Sequence, residues 1–510
     1  MECDKECFME FEPILEKIEC PLKKKNFFDQ IKIDCKGDVE TQNISSVLNV
    51  SSWVYISESR VEDNQIHYGG KVNFYIAYID VDNKLCKSEC AVEFKGSIKD
   101  QTLCDCDKFY IDAVVEKCNY DLSGTTILID GYISVKAEVV GVLTKSVVVG
   151  GENFVVDEKE FAFIKTSGIK KATYPLEEEF TLSYPVQEVL NHSAKGIITA
   201  VQCGVGCIIV DGEVLLSAIM LQKNDKGGII KETNAIPFRM EIECEECMPS
   251  MQAIARVKER SFKVDVTVDE EKNQSIMRAS VNLAFQGEAF YFESVNIAND
   301  LFSTRKEIEI SRTVLDYALV KEMKNCSFNL SVRVGVNQLP ASSMLLAITN
   351  ENCEIIKIEQ GNPAKITGSV FAKAIMRDGD GKIFTTILEA PFESQIDLPF
   401  ENNEDLTVVA NIKSCKARIV SLTECELDCE LFVNFYPEEK NQIKIIDEIK
   451  VLNDKVLPTS AISVYIPTCG EELWSLAKRL NESPERLIET NPELQFPLEG
   501  DERIVIYRQK

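Results

Sequence analysis

Four cysteines come nearest to a metal-holding set: Cys203-x3-Cys207 and Cys244-x2-Cys247. Four thiolates converging on one point can hold a zinc ion tetrahedrally. Placed on one strand, however, Cys203 and Cys207 stand ~13 Å apart, too far to share an ion, and a second knuckle of the usual form is missing. Structural thiols and no metal are therefore expected. Cys425 to Phe435 shows the part such thiols play. Cys425, Leu427, Cys429, Leu431, Val433 and Phe435 fall on one face of a period-two strand, with Glu424, Glu426, Asp428 and Glu430 on the other. Cysteine acts there as a small hydrophobe. The 19 cysteines are odd in number, and the first residues, MECDKECFMEFEPILEKIEC, lack the basic start and apolar stretch of a secretory signal. A reducing compartment without a disulfide framework is expected, and with it a cytoplasmic protein.

Acid–base chemistry has as little to work with. His67 and His192 are the two histidines, and they fall in different repeats. No G-x4-G-K-[ST] phosphate loop occurs. The many carboxylate pairs are what a formal net charge of −27 scatters over a surface. These residues point to a protein that is not an enzyme, with no catalytic residues and no cofactor. The same charge argues against nucleic acid or an anionic membrane as a direct partner, since either needs a basic face. No apolar run approaches the ~18 residues of a membrane span.

The elements that carry these residues are organised as repeats. Lys365 to Ile396 reads as a β-hairpin: a strand around Gly368-Ser369-Val370, a glycine-rich turn at Asp378-Gly379-Asp380-Gly381, and a return strand to Ala390-Pro391-Phe392. Cys207 to Ile242 repeats it with Gly212, a turn at residues 224–228 and Phe238. Gln65 to Phe94 repeats it again with Gly70 and a turn at residues 82–84. Each copy opens on a similar segment, at Asn43, Pro185 and Pro340, which stand 27, 27 and 28 residues before the glycine. A later alanine, Ala113, Ala255 or Ala410, follows the glycine by 43, 43 and 42 residues. Three anchors at near-constant intervals in three copies make a strong repeat signal. Alternation such as Phe262, Val264, Val266, Val268 against Lys263, Asp265, Thr267, Asp269 makes the copies sheet with one wet face. At roughly 100 residues, each copy is large enough to bury its own core.

After Pro458 the texture changes. Ile462, Val464 and Ile466 alternate as a strand; Leu473, Leu476, Ala477 and Leu480 follow helical spacing; Ser483-Pro484 caps a second helix that stops at Asn491-Pro492; and Ile504 to Tyr507 make a last strand. This βααβ run, with Gly470-x2-Leu473-Trp474-x-Leu476-Ala477, Asn491-Pro492, Leu498-x-Gly500 and Ile504-x-Ile506, resembles a LysM domain. The three repeats resemble the domain of unknown function found in clostridial spore-envelope proteins. Repeats of that kind followed by one LysM resemble the SipL family, the SpoIVA-interacting proteins of clostridial sporulation.

The resemblance implies a scaffold or adaptor in spore coat assembly, in the mother-cell cytoplasm at the forespore surface, whose LysM binds a SpoIVA-like morphogenetic ATPase. The alternative is a peptidoglycan-binding protein of the spore cortex or cell wall. Glycan-binding LysM domains commonly carry Gly-Asp-Thr where this chain has Gly470-Glu471-Glu472, and the loop after Pro492 is acidic. Both features weaken the glycan reading. Trp474, Ile462 at the start of the first strand and Tyr465 on that strand's outer face are the expected partner-binding residues, with Trp474 at the edge of the small core.

The expected architecture is mainly β and multidomain. An N-terminal lead over 1–40, with a helix possible around Ile14 to Ile18, precedes β repeat domains at 41–160, 180–300 and 335–445 and a LysM domain at 461–510.

Overall fold

A computed structural model describes residues 11–21, 25–38, 44–82, 84–105, 108–123, 125–140, 142–223, 228–401, 404–456 and 461–507. The acidic start at 1–10, most of the turn expected at 224–228, its counterpart's Asn83 and the break at 457–460 lie outside them. The described chain is almost entirely antiparallel strand. The first third comprises β1 (Pro13–Pro21), β2 (Lys25–Asp38), β3 (Ile44–Glu62), β4 (Gln65–Asp80), β5 (Leu85–Lys99), β6 (Lys108–Ser123), β7 (Thr126–Val140) and β8 (Val142–Gly151). The second comprises β9 (Val155–Thr166), β10 (Lys170–Leu182), β11 (Val186–Cys203), β12 (Cys207–Gln222), β13 (Ile229–Glu243), β14 (Gln252–Asp269) and β15 (Gln274–Phe302). In the last are β16 (Lys306–Val320), β17 (Lys324–Gly335), β18 (Met344–Glu359), β19 (Ala364–Arg377), β20 (Ile383–Ile396), β21 (Glu404–Ser421) and β22 (Glu424–Asp454).

These strands make three sandwiches of one design. In the first, the sheet β3-β4-β5 faces β2-β7-β6; in the second, β11-β12-β13 faces β10-β15-β14; in the third, β18-β19-β20 faces β17-β22-β21. The alternation that marked the strands is the cause. In β12, Ile208, Val210, Val214, Leu216, Ala218 and Met220 all point into one core, against Met277, Ala279, Val281, Leu283 and Phe285 of β15. The opening strand of each sandwich, β2, β10 or β17, lies upstream of the repeat as the sequence suggested it. The anchors begin at Asn43, Pro185 and Pro340, and nothing in the short alternating stretch before them announces which sheet it will join.

The recurring glycine has a packing reason. Gly70, Gly212 and Gly368 sit in mid-strand, each directly opposite Phe94, Phe238 or Phe392 on the next strand. A Cβ on Gly212 would lie 2.2 Å from the Ile197 carbonyl oxygen and 2.5 Å from the Phe238 ring. At Gly70 and Gly368 the same carbonyl approach would be 2.3 and 2.4 Å. The neighbouring strand is bulged beside each approach, between Ile56 and Glu58, Ile198 and Ala200, and Ile355 and Lys357. The bulge drives a carbonyl onto the glycine, and the phenyl ring covers the gap a missing side chain leaves.

Each sandwich extends into a two-stranded ribbon. β1 pairs with β8, β9 with the second half of β15, and β16 with the second half of β22. The possible helix at Ile14 to Ile18 is thus a strand. Partners on β8 and the burial of Ile18 decide it, whereas the isolated segment carries no local signal strong enough to choose. The three ribbons share one core of Ile18, Val147, Phe161, Phe163, Ile297, Leu315, Ile443 and Ile445. The hairpin sheets likewise meet around Leu48, Ile79, Leu190, Ile219, Ala347 and Ile375. At that meeting buried Asn49, Asn191 and Thr349 bind across the sandwiches: Asn350 Nδ2 donates to Asn49 Oδ1 at 2.9 Å, Ser51 Oγ to Asn191 Oδ1 at 2.9 Å, and Asn191 Nδ2 to Thr349 Oγ1 at 3.3 Å. The three sandwiches are therefore joined around a common centre.

A C-terminal βααβ unit follows: β23 (Ile462–Tyr465), α1 (Leu473–Leu480), α2 (Pro484–Thr490) and β24 (Ile504–Tyr507). β23 and β24 pair antiparallel. Its core is Leu476, Ala477, Leu487, Leu498, Ile504 and Ile506.

Candidate functional site

The C-terminal unit is built by a few local devices. Ser483 Oγ accepts from Arg486 N and Pro484 opens α2, so that helix starts where the sequence places it. Asn491 ends α2 and is 9% exposed; its Nδ2 donates to Val505 O at 2.8 Å and its Oδ1 accepts from Val505 N at 2.7 Å. That side chain therefore completes the backbone pairing of β24, a role apolar residues cannot fill.

Pairing of β23 with β24 sorts the side chains into two faces. Ser463 and Tyr465 stand opposite Ile506 and Ile504 and turn towards the helices. Ile462 and Val464 stand opposite Tyr507 and Val505 on the other face. Ile462 is 59% exposed, Val464 61%, Ile466 65% and Tyr507 50%. The unit thus presents a bare apolar face of four large side chains.

Of the three expected contact residues, Ile462 lies on this face and the other two do not. Tyr465 is on the inner face, not the outer one. Its ring packs with the unit's core beneath the Arg479 guanidinium, 4.5 Å from the ring centre. Counting alternation from Ile462 would have given this: residues three apart on a strand point to opposite sides. Trp474 is half-buried against the body of the protein. Its Nε1 donates to Asp300 Oδ2 at 2.9 Å, and its ring meets Phe302 edge-on at 5.3 Å. Lys478 and Arg312 bind the same carboxylate at 2.7 and 2.8 Å. Burial alone would raise the Asp300 pKa, but the hydrogen bonds from Lys478 and Trp474 outweigh it and hold the carboxyl below its ordinary range. Asn481 Nδ2 donates to Thr304 O at 2.6 Å, and Lys455 Nζ bridges Ser303 O and Asn481 Oδ1. Asp300, Phe302 and Thr304 were missed as docking residues because they lie at the end of β15 and just beyond it, some 170 residues before their partners.

The remaining candidates are placed as follows. Cys203 and Cys207 are not on one strand. They flank a turn at Gly204-Val205-Gly206, where Gly204 N donates to Cys207 O at 2.9 Å. Cys244 and Cys247 sit in the turn after β13 and bond to Gly206 at 3.0 Å through their backbones, so all four cysteines collect at one end of the second sandwich. The glycines around Val205 were the signal for that turn. Cys203, Cys244 and Cys247 are buried in the core. Among the described residues no group of three or more His, Cys, Asp or Glu is arranged to hold a metal ion. Cys425, Leu427, Cys429, Leu431, Val433 and Phe435 share the buried face of β22. His192 packs against Tyr75 at 4.8 Å and Phe262 at 5.1 Å; burial, with Lys87 nearby, pulls it down to about 4. His67 lies elsewhere, on β4. Glu471 is engaged by Arg479 and accepts from Thr468 N at 3.2 Å.

Residues 43–123 match the family model of the SipL SPOCS domain. The matched stretch runs from β3 through β6, the hairpin sheet of the first sandwich and the next strand. It supports a SipL-like, sporulation-related protein. The same strand order recurs in β11 to β14 and β18 to β21. No curated protein and no solved structure matches the chain. Among the described residues no helix is long and apolar enough to cross a membrane.

Proposed function

We propose that the protein is a non-enzymatic adaptor of spore coat assembly, working in the mother-cell cytoplasm at the forespore surface. Its C-terminal unit is taken as a LysM domain that binds a SpoIVA-like morphogenetic ATPase, and the sandwiches are three tandem domains that supply length and further binding sites. The SPOCS match supports the sporulation setting. The bare face of Ile462, Val464, Ile466 and Tyr507 carries the binding reading. A small domain leaves such a contiguous apolar surface open only at a cost in solubility, and a partner's surface relieves it. Trp474 serves a second purpose here: it fastens the unit to Asp300 and so fixes where the bare face points. Glu472 stands where the Gly-Asp-Thr of glycan-binding LysM domains has its threonine, and so brings a carboxylate in place of that hydroxyl.

The test pairs co-purification from sporulating cells with a pull-down on purified peptidoglycan, using full-length protein and an Ile462→Asp variant. Capture of the SpoIVA-like ATPase by the wild type and its loss in the variant are expected. Retention on peptidoglycan without the ATPase would establish the cell-wall alternative instead.

A further inference from the structure

The sandwiches meet along a groove of about 1110 Å3, walled by all three of them. Its lining is the reverse of the protein's overall charge. Seven basic side chains face three carboxylates, Glu58, Asp112 and Glu138, in a chain of net charge −27. The carboxylates are already engaged: Glu138 by Arg256 at 2.5 Å, Asp112 by Lys258 at 2.7 Å, and Glu58 by Lys95 at 3.5 Å. Lys136, Lys171 and Lys195 line the groove, are exposed, and form no ion pair with a described residue. Each comes from a different strand, β7, β10 or β11, so the tertiary fold brings them together. The wall from the third sandwich adds the opposite chemistry. Asn411 Oδ1 and Asn434 Oδ1 are buried there without a hydrogen-bond partner, on side chains 5% and 3% exposed. A buried carbonyl oxygen without a donor is uncommon and unfavourable.

We propose that this groove binds an extended acidic polypeptide segment. Side-chain carboxylates answer the three lysines, and amide N–H groups answer the two asparagine oxygens. A lone phosphate or a simple dicarboxylate would answer the lysines but brings no amide N–H group for the asparagine oxygens, and the groove exceeds the ~300–1,000 Å3 of small-molecule sites. The backbone of a nucleic acid would meet the lysines with its phosphates but carries no N–H group for the asparagine oxygens. The site is separate from the C-terminal unit, so it stands or falls independently of the adaptor reading.

The probe is fluorescein-labelled decaglutamate, titrated with full-length protein and followed by anisotropy. Saturable binding that weakens with added salt is expected. The triple variant Lys136→Ala, Lys171→Ala, Lys195→Ala should bind about tenfold more weakly with an unchanged melting curve, since all three side chains are exposed. A control variant removes three exposed lysines elsewhere, Lys263→Ala, Lys272→Ala and Lys357→Ala, and should bind as the wild type does. Absence of saturable binding, or equal loss in both variants, overturns the proposal. Tight binding of tripolyphosphate without binding of the peptide would also overturn it, by making the groove a phosphate site.

Discussion

In the three sandwiches each sheet turns its apolar face to another sheet, and the ribbons and hairpin sheets then close on one another around a shared centre. The C-terminal unit buries one face of its two-stranded sheet under two short helices and leaves the other bare. It is held to the body by a short set of contacts around Asp300, Phe302 and Thr304. The difference separates two uses of apolar surface. Where a face has a fixed intramolecular partner, its burial supports stability; where the chain provides none, it is available to another molecule.

The largest effect should come from cutting a core that is already small. Leu476→Ala removes a fully buried side chain of the C-terminal unit and should cost about 2–5 kcal/mol. Amide exchange should then show the unit open while the sandwiches stay protected. If both lost protection together, the two regions would be one cooperative body and the comparison would fail. Gly212→Ala acts on the other side. The added Cβ meets a backbone carbonyl and a ring held from both sides, and a loss of about 1–3 kcal/mol is expected in the melting of the sandwiches. Exchange in the C-terminal unit should not change.

Asp300→Asn tests the seam between them. Losing the charge should weaken docking by about 1–2 kcal/mol and shift the fluorescence of Trp474 towards that of an exposed indole. Acid should act the same way. Because the carboxyl is held below its ordinary range when docked, its contribution is present above the unfolded pKa of ~3.9 and is lost as pH falls through the lower, docked value. A Trp474 signal unchanged by the variant would show that Asp300 does not secure the unit. Ile462→Asp should have the smallest effect on the fold, within about 0.5 kcal/mol, since the side chain stands in solvent. Its expected consequence is loss of partner binding, and full retention would remove the bare face as the contact.

The C-terminal unit was the more legible of the two regions. Its order of elements follows from local signals: helical spacing at Leu473, Leu476, Ala477 and Leu480, the Ser483-Pro484 start and the Asn491-Pro492 stop. The repeated glycine could be found by spacing alone, but its purpose could not, because the carbonyl of Ile197 and the ring of Phe238 come from two other strands. The contact set was harder still. Trp474 reads as an edge residue from its position on the helix, and its partner Asp300 is a plain acidic residue among 83.

By itself the sequence determined which stretches alternate, where the hairpins repeat and where two short helices begin and end, since these depend on neighbours within a few residues. The tertiary structure alone decided that Ile14 to Ile18 is a strand and that Cys244 and Cys247 join the turn between Cys203 and Cys207. It also decided that Trp474 meets the body while Ile462 meets solvent, and that Lys136, Lys171 and Lys195 share one groove. Each of these depends on residues distant in the chain, and long-range pairing is set by the total burial and hydrogen bonding of the packed chain, which no local window contains.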